Sequence, residues 1–386
     1  MNINVAGVGT TKFGELWGTS PRDLLKEAFE KARLDAHINS IDIDAVFVGN
    51  MLSGILGNQE NMGALVKETL GLYEDTAAVK VEGACASGGL AVHQGVQAIL
   101  SGLYDCVLVI GVEKMTDHRP EEVASALMAA GSDEERMAGL TFPGLYALIA
   151  QSHMARYGTT EKDLAAVSVK NHYHASHNPN AHFQKTITID QVLQSPYVAD
   201  PLKVLDCSPI SDGASAVILT RTPNSQKTNK PVSIIASQVV TADLGVSRRA
   251  TDTSLLSSKH AGYKAFKQAQ LKPADVDVAE VHDCFSIAEI IALEDLGFFK
   301  RGKQAAKKIR EGAVTLGTST KLVVNPSGGL KASGHPIGAT GVKQIVEIVE
   351  QLRGTAGERQ VKNAKVGLTH NVGGSGAVAA VHILKS

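Results

Sequence analysis

Val81-Glu-Gly-Ala-Cys85-Ala-Ser-Gly-Gly-Leu90 decides how the rest of the chain is read. A strand pattern, Ala77-Ala-Val-Lys-Val81, stops at a glycine, places one cysteine and starts a helix. In that helix Val92, Val96, Ile99 and Leu103 fall at i, i+4, i+7 and i+11. The first N–H groups of a helix have no intrahelical partner and carry the positive end of its dipole, so a thiol beside them is predicted to ionise readily. Cys85 is therefore a candidate nucleophile, although a cysteine among Ala and Gly also suits a small buried hydrophobe.

Toward the N-terminus, Ile3-Asn-Val-Ala-Gly-Val8 alternates like a strand, and Ser20-Pro21 supplies an N-cap and a first-turn proline. A helix follows with Leu24, Leu25, Ala28, Phe29 and Ala32 on one face, then a strand over Ile41 to Val48. Past the cysteine, helix 88–101 leads to the strand Cys106-Val-Leu-Val-Ile110. Strand alternating with helix predicts an α/β fold. From about Asp117 to Leu205 this rhythm stops and His, Met, Arg, Asn and Tyr become frequent, which marks an insertion. Ile210 to Leu219 then re-enters the core as a strand.

After a polar linker, Arg221 to Pro231, the plan runs again. Lys264 to Glu280 echoes Lys26 to Val46, and Ala332-Ser-Gly-His335-Pro336 stands before a helix as Ala84-Cys85-Ala-Ser-Gly stands before the first. That second helix carries Val342, Ile345, Val346, Val349 and Leu352 on one face. Two like halves about a pseudo-twofold aim both helix starts at one place, which would bring His335 to Cys85 across 250 positions. The strand pattern Val276 to Glu280 runs into Val281-His282-Asp283-Cys284-Phe285 and presents a second cysteine.

These stretches resemble the thiolase superfamily, in particular its sterol-carrier-protein and archaeal types, in which His-Asp-Cys-Phe stands where other thiolases have Asn-Glu-Ala-Phe. The resemblance spans almost the whole chain and includes Gly111-Val-Glu-Lys-Met115, Cys207-Ser-Pro-Ile-Ser-Asp-Gly213-Ala and His370-Asn371-Val-Gly-Gly-Ser-Gly376-Ala. It implies duplicated βαβαβαββ halves in five layers, α-β-α-β-α. Residues 1–116 with 206–225 would form the N-terminal half, 117–205 an inserted loop domain over the site, and 230–386 the C-terminal half.

The resemblance also implies roles. Cys85 takes the acyl group as a thioester, His335 takes the thiol proton, and Cys284 moves the α-proton. His282 helps hold an active-site water or a substrate oxygen, while main-chain N–H groups at Cys85 and in the turn Asn371, Gly373, Gly374 form a second oxyanion hole. His370 stands where better-known thiolases carry a catalytic cysteine and joins the catalytic candidates. The expected activity is an acetyl-CoA acyltransferase with acetyl-CoA, acyl-CoA and CoA as substrates and no separate cofactor. Relatives imply a homodimer or homotetramer, and some work in a complex with another pathway enzyme.

Composition excludes other classes. Thirty-eight Lys+Arg against 39 Asp+Glu leave a net charge of −1, which gives nucleic acid no basic surface. Four scattered cysteines without a CxxC pair predict reduced thiols rather than disulfides or zinc. His172, His174, His177 and His182 look like a metal cluster, but a helix puts His172 and His174 on opposite faces. Gly373-Gly-Ser-Gly-Ala lacks the βαβ unit of a dinucleotide site. With no leader-like N-terminus, no long apolar run, and Leu-Lys-Ser386 in place of a peroxisomal address, a cytoplasmic protein away from membranes is expected. The rival readings are a ketoacyl-synthase-like condensing enzyme, disfavoured by Cys284, and a non-catalytic lipid-binding or scaffold subunit, disfavoured by the two thiols and His335.

Overall fold

The computed structural model describes residues 1–221, 230–318 and 320–386; most of the linker assigned to Arg221–Pro231, and the domain boundary at 225, lie outside them. The strands are β1 (Ile3–Thr10), β2 (Ala45–Gly49), β3 (Ala77–Val81), β4 (Cys106–Glu113), β5 (Tyr197–Ala199), β6 (Leu202–Lys203), β7 (Gly213–Thr220), β8 (Ser233–Thr241), β9 (Val278–Glu280), β10 (Val323–Val324), β11 (Val366–Gly373) and β12 (Val378–Lys385). Ten of them hydrogen-bond in the order β10-β9-β11-β12-β8-β1-β7-β4-β2-β3, while β5 and β6 form a separate hairpin. Two five-stranded halves thus meet edge to edge where Ile3 pairs with Ile234, Asn4 pairs with Ser233 and Val5 N–H donates to Val232 O at 2.9 Å.

Alternation along the strands builds the layers. On β4, Val107 and Val109 face the middle of the molecule, where they meet Val92, Val96 and Ile99 of the helix Ser87–Leu100 and Val342, Ile345 and Val349 of the helix Ile337–Arg353. Leu108, Ile110 and Val112 face the other way, onto Leu24, Leu25, Ala28 and Phe29 of the helix Pro21–Ala36. The second half repeats the scheme: Val278 points to the middle, and Ala279 points to a core shared with the helices Leu256–Ala269 and Ser286–Asp295. The helix Pro21–Ala36 starts where the sequence indicated, with Ser20 and Asp23 closing a capping box.

Three local expectations change. Leu103 lies beyond the end of its helix and is 75 % exposed, because Gly102 turns the chain first. Ile41 is 63 % exposed in a 3-10 turn, and β2 starts only at Ala45. The helix Ile337–Arg353 is buried almost all round, since it lies between two sheet halves. Its Lys343 and Glu347 are buried with it, paired to Glu280 and Arg359.

In the middle layer the two helices cross on glycine. A Cβ on Gly88 would sit 2.7 Å from Gly338 O, and one on Gly341 would sit 2.1 Å from Gly89 N. Backbones that close fix the two helix starts beside each other. Residues between β4 and β7 form a mostly helical cap, including Phe142–Tyr157 and Glu161–Ala175. Among the described residues no helix is long and apolar enough to cross a membrane.

Candidate active site

β3 ends in a 3-10 turn, Ala84–Ala86, from which the helix Ser87–Leu100 rises. Ala84 adopts a left-handed φ of 52°, a conformation that costs a residue with a Cβ. Ser87 holds the turn, its Oγ accepting from Gly83 N–H at 3.0 Å and donating to Ala84 O at 2.6 Å. Cys85 thereby lines a cavity of about 240 Å³ shared with His335, Cys284, Tyr146, Phe285 and Gly374. Cys85 Sγ and one ring nitrogen each of His282 and His335 all lie within 4.8 Å of one another. The two imidazoles meet edge to face, centroids 5.2 Å apart.

Hydrogen-bond partners assign the imidazole protons. Asn371 Oδ1 accepts from Gly89 N–H at 3.0 Å and its amino group donates to Cys85 O at 2.9 Å, which fixes the amide's orientation. The same amino group faces His282 Nδ1 at 3.2 Å, so that nitrogen accepts. His282 then carries its hydrogen on Nε2, a buried atom with no protein partner, and offers a donor to the cavity. At His335 the arrangement is reversed. Thr340 Oγ1 donates to Pro336 O at 2.9 Å and accepts from His335 Nδ1 at 2.7 Å. This leaves His335 Nε2, also buried and unpartnered, as a bare base.

Burial pushes the Cys85 thiol up to about 12, against the pull of Gly374 N–H on the sulfur and with a further push from Glu113. Burial likewise pushes His335 down to about 3. The resting pair is therefore neutral thiol and neutral imidazole. This corrects the expectation of a readily ionised Cys85: dipole and amide favour the thiolate, but desolvation in an enclosed site outweighs them.

Of the other predicted residues, Cys284 is buried on the same cavity, its thiol pushed well above its ordinary range by burial and by Cys85. Gly374, at φ 60°, turns its N–H toward Cys85 Sγ beside the N–H of Cys85 itself. Gly373 is required for a different reason, since a Cβ there would sit 2.2 Å from Gly83 O. Asn371 positions the groups around it and has no donor left for substrate.

His370 is not brought into the site. Its Nε2 bonds Ser258 Oγ at 2.8 Å and its Nδ1 accepts from His282 N–H at 3.5 Å, so both nitrogens are committed away from the cavity. His172, His174 and His182 each have separate partners: Lys185 O, Asn325 O and Ser211 Oγ.

The sequence reading passed over three residues. Asp283 accepts from Leu330 N–H at 2.7 Å and Asn171 Nδ2 at 2.6 Å, tying the Cys284 loop to the short helix that leads into His335. Its place between His282 and Cys284 was the available signal. Glu113 accepts from Asn50 Nδ2, Met51 N, Leu52 N and Gly338 N at 2.9–3.1 Å, and burial pushes it up to about 7. Tyr146, one of several aromatics in the insertion, gave no signal.

Family comparison follows the same lines. The chain matches the model of the thiolase N-terminal domain over residues 3–223 and that of the thiolase C-terminal domain-like family over 240–386. The chain belongs to the thiolase family. It is 48 % identical over 383 residues to the acetyl-CoA acetyltransferase of Methanothermobacter thermautotrophicus, covering 99 % of each chain. It is 38 % identical to sterol carrier protein 2 of Bos taurus, over 97 % of this chain and 71 % of that one. Among solved structures, the Ltp2-ChsH2(DUF35) aldolase matches with a TM-score of 0.85 at 25 % identity, over 100 % of this chain and 98 % of that one.

Proposed function

We propose that the protein is an acyl-CoA acetyltransferase that reversibly condenses acetyl-CoA with an acyl-CoA to a 3-ketoacyl-CoA and CoA, and in the other direction cleaves the 3-ketoacyl-CoA with CoA, through a thioester on Cys85. The observation that carries this is the approach of Cys85 Sγ and the His282 and His335 rings to within 4.8 Å, with Cys284 on the same cavity. As the Cys85 sulfur attacks the thioester carbonyl, His335 Nε2 takes its proton, and the N–H groups of Cys85 and Gly374 hold the oxyanion. The imidazolium returns the proton to the departing CoA sulfur. Cys284 as thiolate then takes the α-proton of the second thioester, and the enolate oxygen accepts from His282 Nε2–H. Asn371, His370 and Gly373 position these groups.

One thiol beside two imidazoles also suits a ketoacyl-synthase-like enzyme; Cys284 on the same cavity favours the thiolase reading. The test is loss of acetoacetyl-CoA absorbance on adding CoA, together with intact mass after acetyl-CoA. Thiolysis with one acetyl group on Cys85 is expected. Absence of both would leave a scaffold subunit, and acylation without thiolysis would favour the synthase.

The same reading takes CoA and acyl-CoA as substrates without a resident metal or redox cofactor. It also keeps the division into core halves 1–116 with 206–225 and 230–386 around a loop domain 117–205, a homodimer or homotetramer, and a cytoplasmic location.

A further inference from the structure

Tyr146 stands in the inserted segment, on the helix Phe142–Tyr157, yet it is 1 % exposed and lines the cavity with Cys85 and Cys284. Its ring packs on Phe285, centroids 4.7 Å apart, which fixes where the hydroxyl lies. That hydroxyl donates to the Gly374 carbonyl oxygen at 3.3 Å, and it shares the cavity with the Cys284 thiol, whose ionisation it favours. A phenol has one hydrogen to give. While Cys284 is a thiol, its S–H can point at the phenol oxygen and the phenol donates to Gly374 O. Once Cys284 is a thiolate, the phenol hydrogen has a charged acceptor in reach. The bond to Gly374 at 3.3 Å is long for an O–H donor, so little is lost when it turns.

We propose that Tyr146 is a catalytic residue for the α-proton step, donating its hydroxyl hydrogen to the Cys284 thiolate that acts as base. This rests on the reading of Cys284 given above. Cys284 first releases its thiol proton to water. Its sulfur lone pair then takes the α-proton of the acyl-CoA, the C–H electron pair moves into the carbonyl, and the enolate oxygen accepts from His282 Nε2–H. The sulfur proton exchanges with solvent, and its return to carbon regenerates the thiolate and leaves a solvent hydrogen on the α-carbon. The phenol keeps its own hydrogen throughout. The enclosed cavity disfavours the thiolate, so one charge-assisted donor decides how much of it forms at neutral pH.

Tyr146→Phe removes only the hydroxyl and keeps the ring on Phe285. Two rates are measured in Tyr146→Phe, Cys284→Ala and the wild type: acetylation of Cys85 by quenched intact mass, and exchange of the acetyl-CoA α-protons with deuterated water from pH 6 to 10. In Tyr146→Phe, acetylation should stay within about twofold. Exchange should fall roughly 10- to 100-fold, the weight of one hydrogen bond to a charged group, and its pH profile should move upward. Incorporating 3-fluorotyrosine, which keeps a hydroxyl, should retain exchange and guards against misfolding of the Phe variant. Undiminished exchange in Cys284→Ala would overturn the assignment of Cys284 as base. Loss of exchange in Cys284→Ala with wild-type rate and pH profile in Tyr146→Phe would overturn only the role of Tyr146. An equal fall of acetylation and exchange in Tyr146→Phe would reduce Tyr146 to a packing residue.

Discussion

Gly341→Ala tests whether the helix crossing sets the distance between the nucleophile and its base. A Cβ at this position would lie 2.1 Å from Gly89 N, 2.3 Å from Asn371 Oδ1 and 2.8 Å from Gly88 C, where ordinary contact begins near 3.4 Å. None of these is the free end of a flexible side chain. Asn371 is itself held by Gly89 N–H and Cys85 O, so it cannot swing aside. The helices must part by roughly 1 Å, and overpacking of this kind costs about 1–3 kcal/mol. Because Cys85 starts one helix and His335 precedes the other, the same separation opens the catalytic pair, and a displacement of that size costs roughly 10²-fold in rate. The assays are a thermal melt and stopped-flow acylation by acetyl-CoA. Gly18→Ala, where the new methyl meets nothing within 4 Å, serves as the control. A Gly341→Ala protein with wild-type melting temperature and acylation rate would refute the argument that the glycine crossing positions the site.

His335→Ala should slow acylation of Cys85 by roughly 10²- to 10⁴-fold, because the thiol loses its proton acceptor; a wild-type rate in stopped flow would remove His335 from that step. Glu113 has its pKa raised to about 7 from the ordinary 4.5, so its contribution to stability is full below about pH 4.5 and is lost as pH rises through 7. Glu113→Gln cannot titrate, so the stability difference between wild type and variant in urea titrations should shrink across pH 4.5 to 7.5 by up to about 3 kcal/mol; a constant difference contradicts this. Iodoacetamide should label Cys85 slowly at pH 7, with a rate still climbing through pH 9 as the thiolate fraction grows. A rate already flat at pH 7 would mean a preformed thiolate.

The layered fold was legible because strands and helices alternate in two matching halves, and because Val107 and Val109 against Leu108 and Ile110 state which way each face looks. The meeting of Cys85 and His335 was legible as well, from two like turns before two like helices, and the structure brings His282 and Cys284 beside them. Helix ends such as Leu103 were misread because periodicity alone does not show where a glycine turns the chain. The role of His370 was hidden for a related reason. A histidine's function depends on what its two nitrogens touch, and Ser258 lies 112 positions away. The ionisation of Cys85 was misjudged because a helix start is visible in sequence, whereas the enclosure that reverses its effect comes from a distant helix and from Phe285. Tyr146 belongs to that same distant helix.

The neutral resting pair constrains how acylation proceeds. With the thiol near 12 and the imidazole near 3, moving the proton from Cys85 to His335 costs on the order of 10 kcal/mol if the charges do not interact. Attraction between thiolate and imidazolium within 4.8 Å returns about 3–4 kcal/mol at an effective dielectric of 20. The ion pair therefore lies several kcal/mol above the neutral pair, too high to accumulate. A turnover of about 10 per second corresponds to a barrier of roughly 16 kcal/mol, so a state at that height is still accessible on the way to the transition state. Proton transfer and sulfur attack should then occur together, with the negative charge passing to the thioester oxygen at the Cys85 and Gly374 N–H groups instead of resting on sulfur. A proton in flight in the rate-determining step gives acylation a normal solvent isotope effect in deuterated water. A preformed thiolate would give none, so an effect of one in single-turnover acylation would show that the buried pair is already ionised and that desolvation does not govern this site.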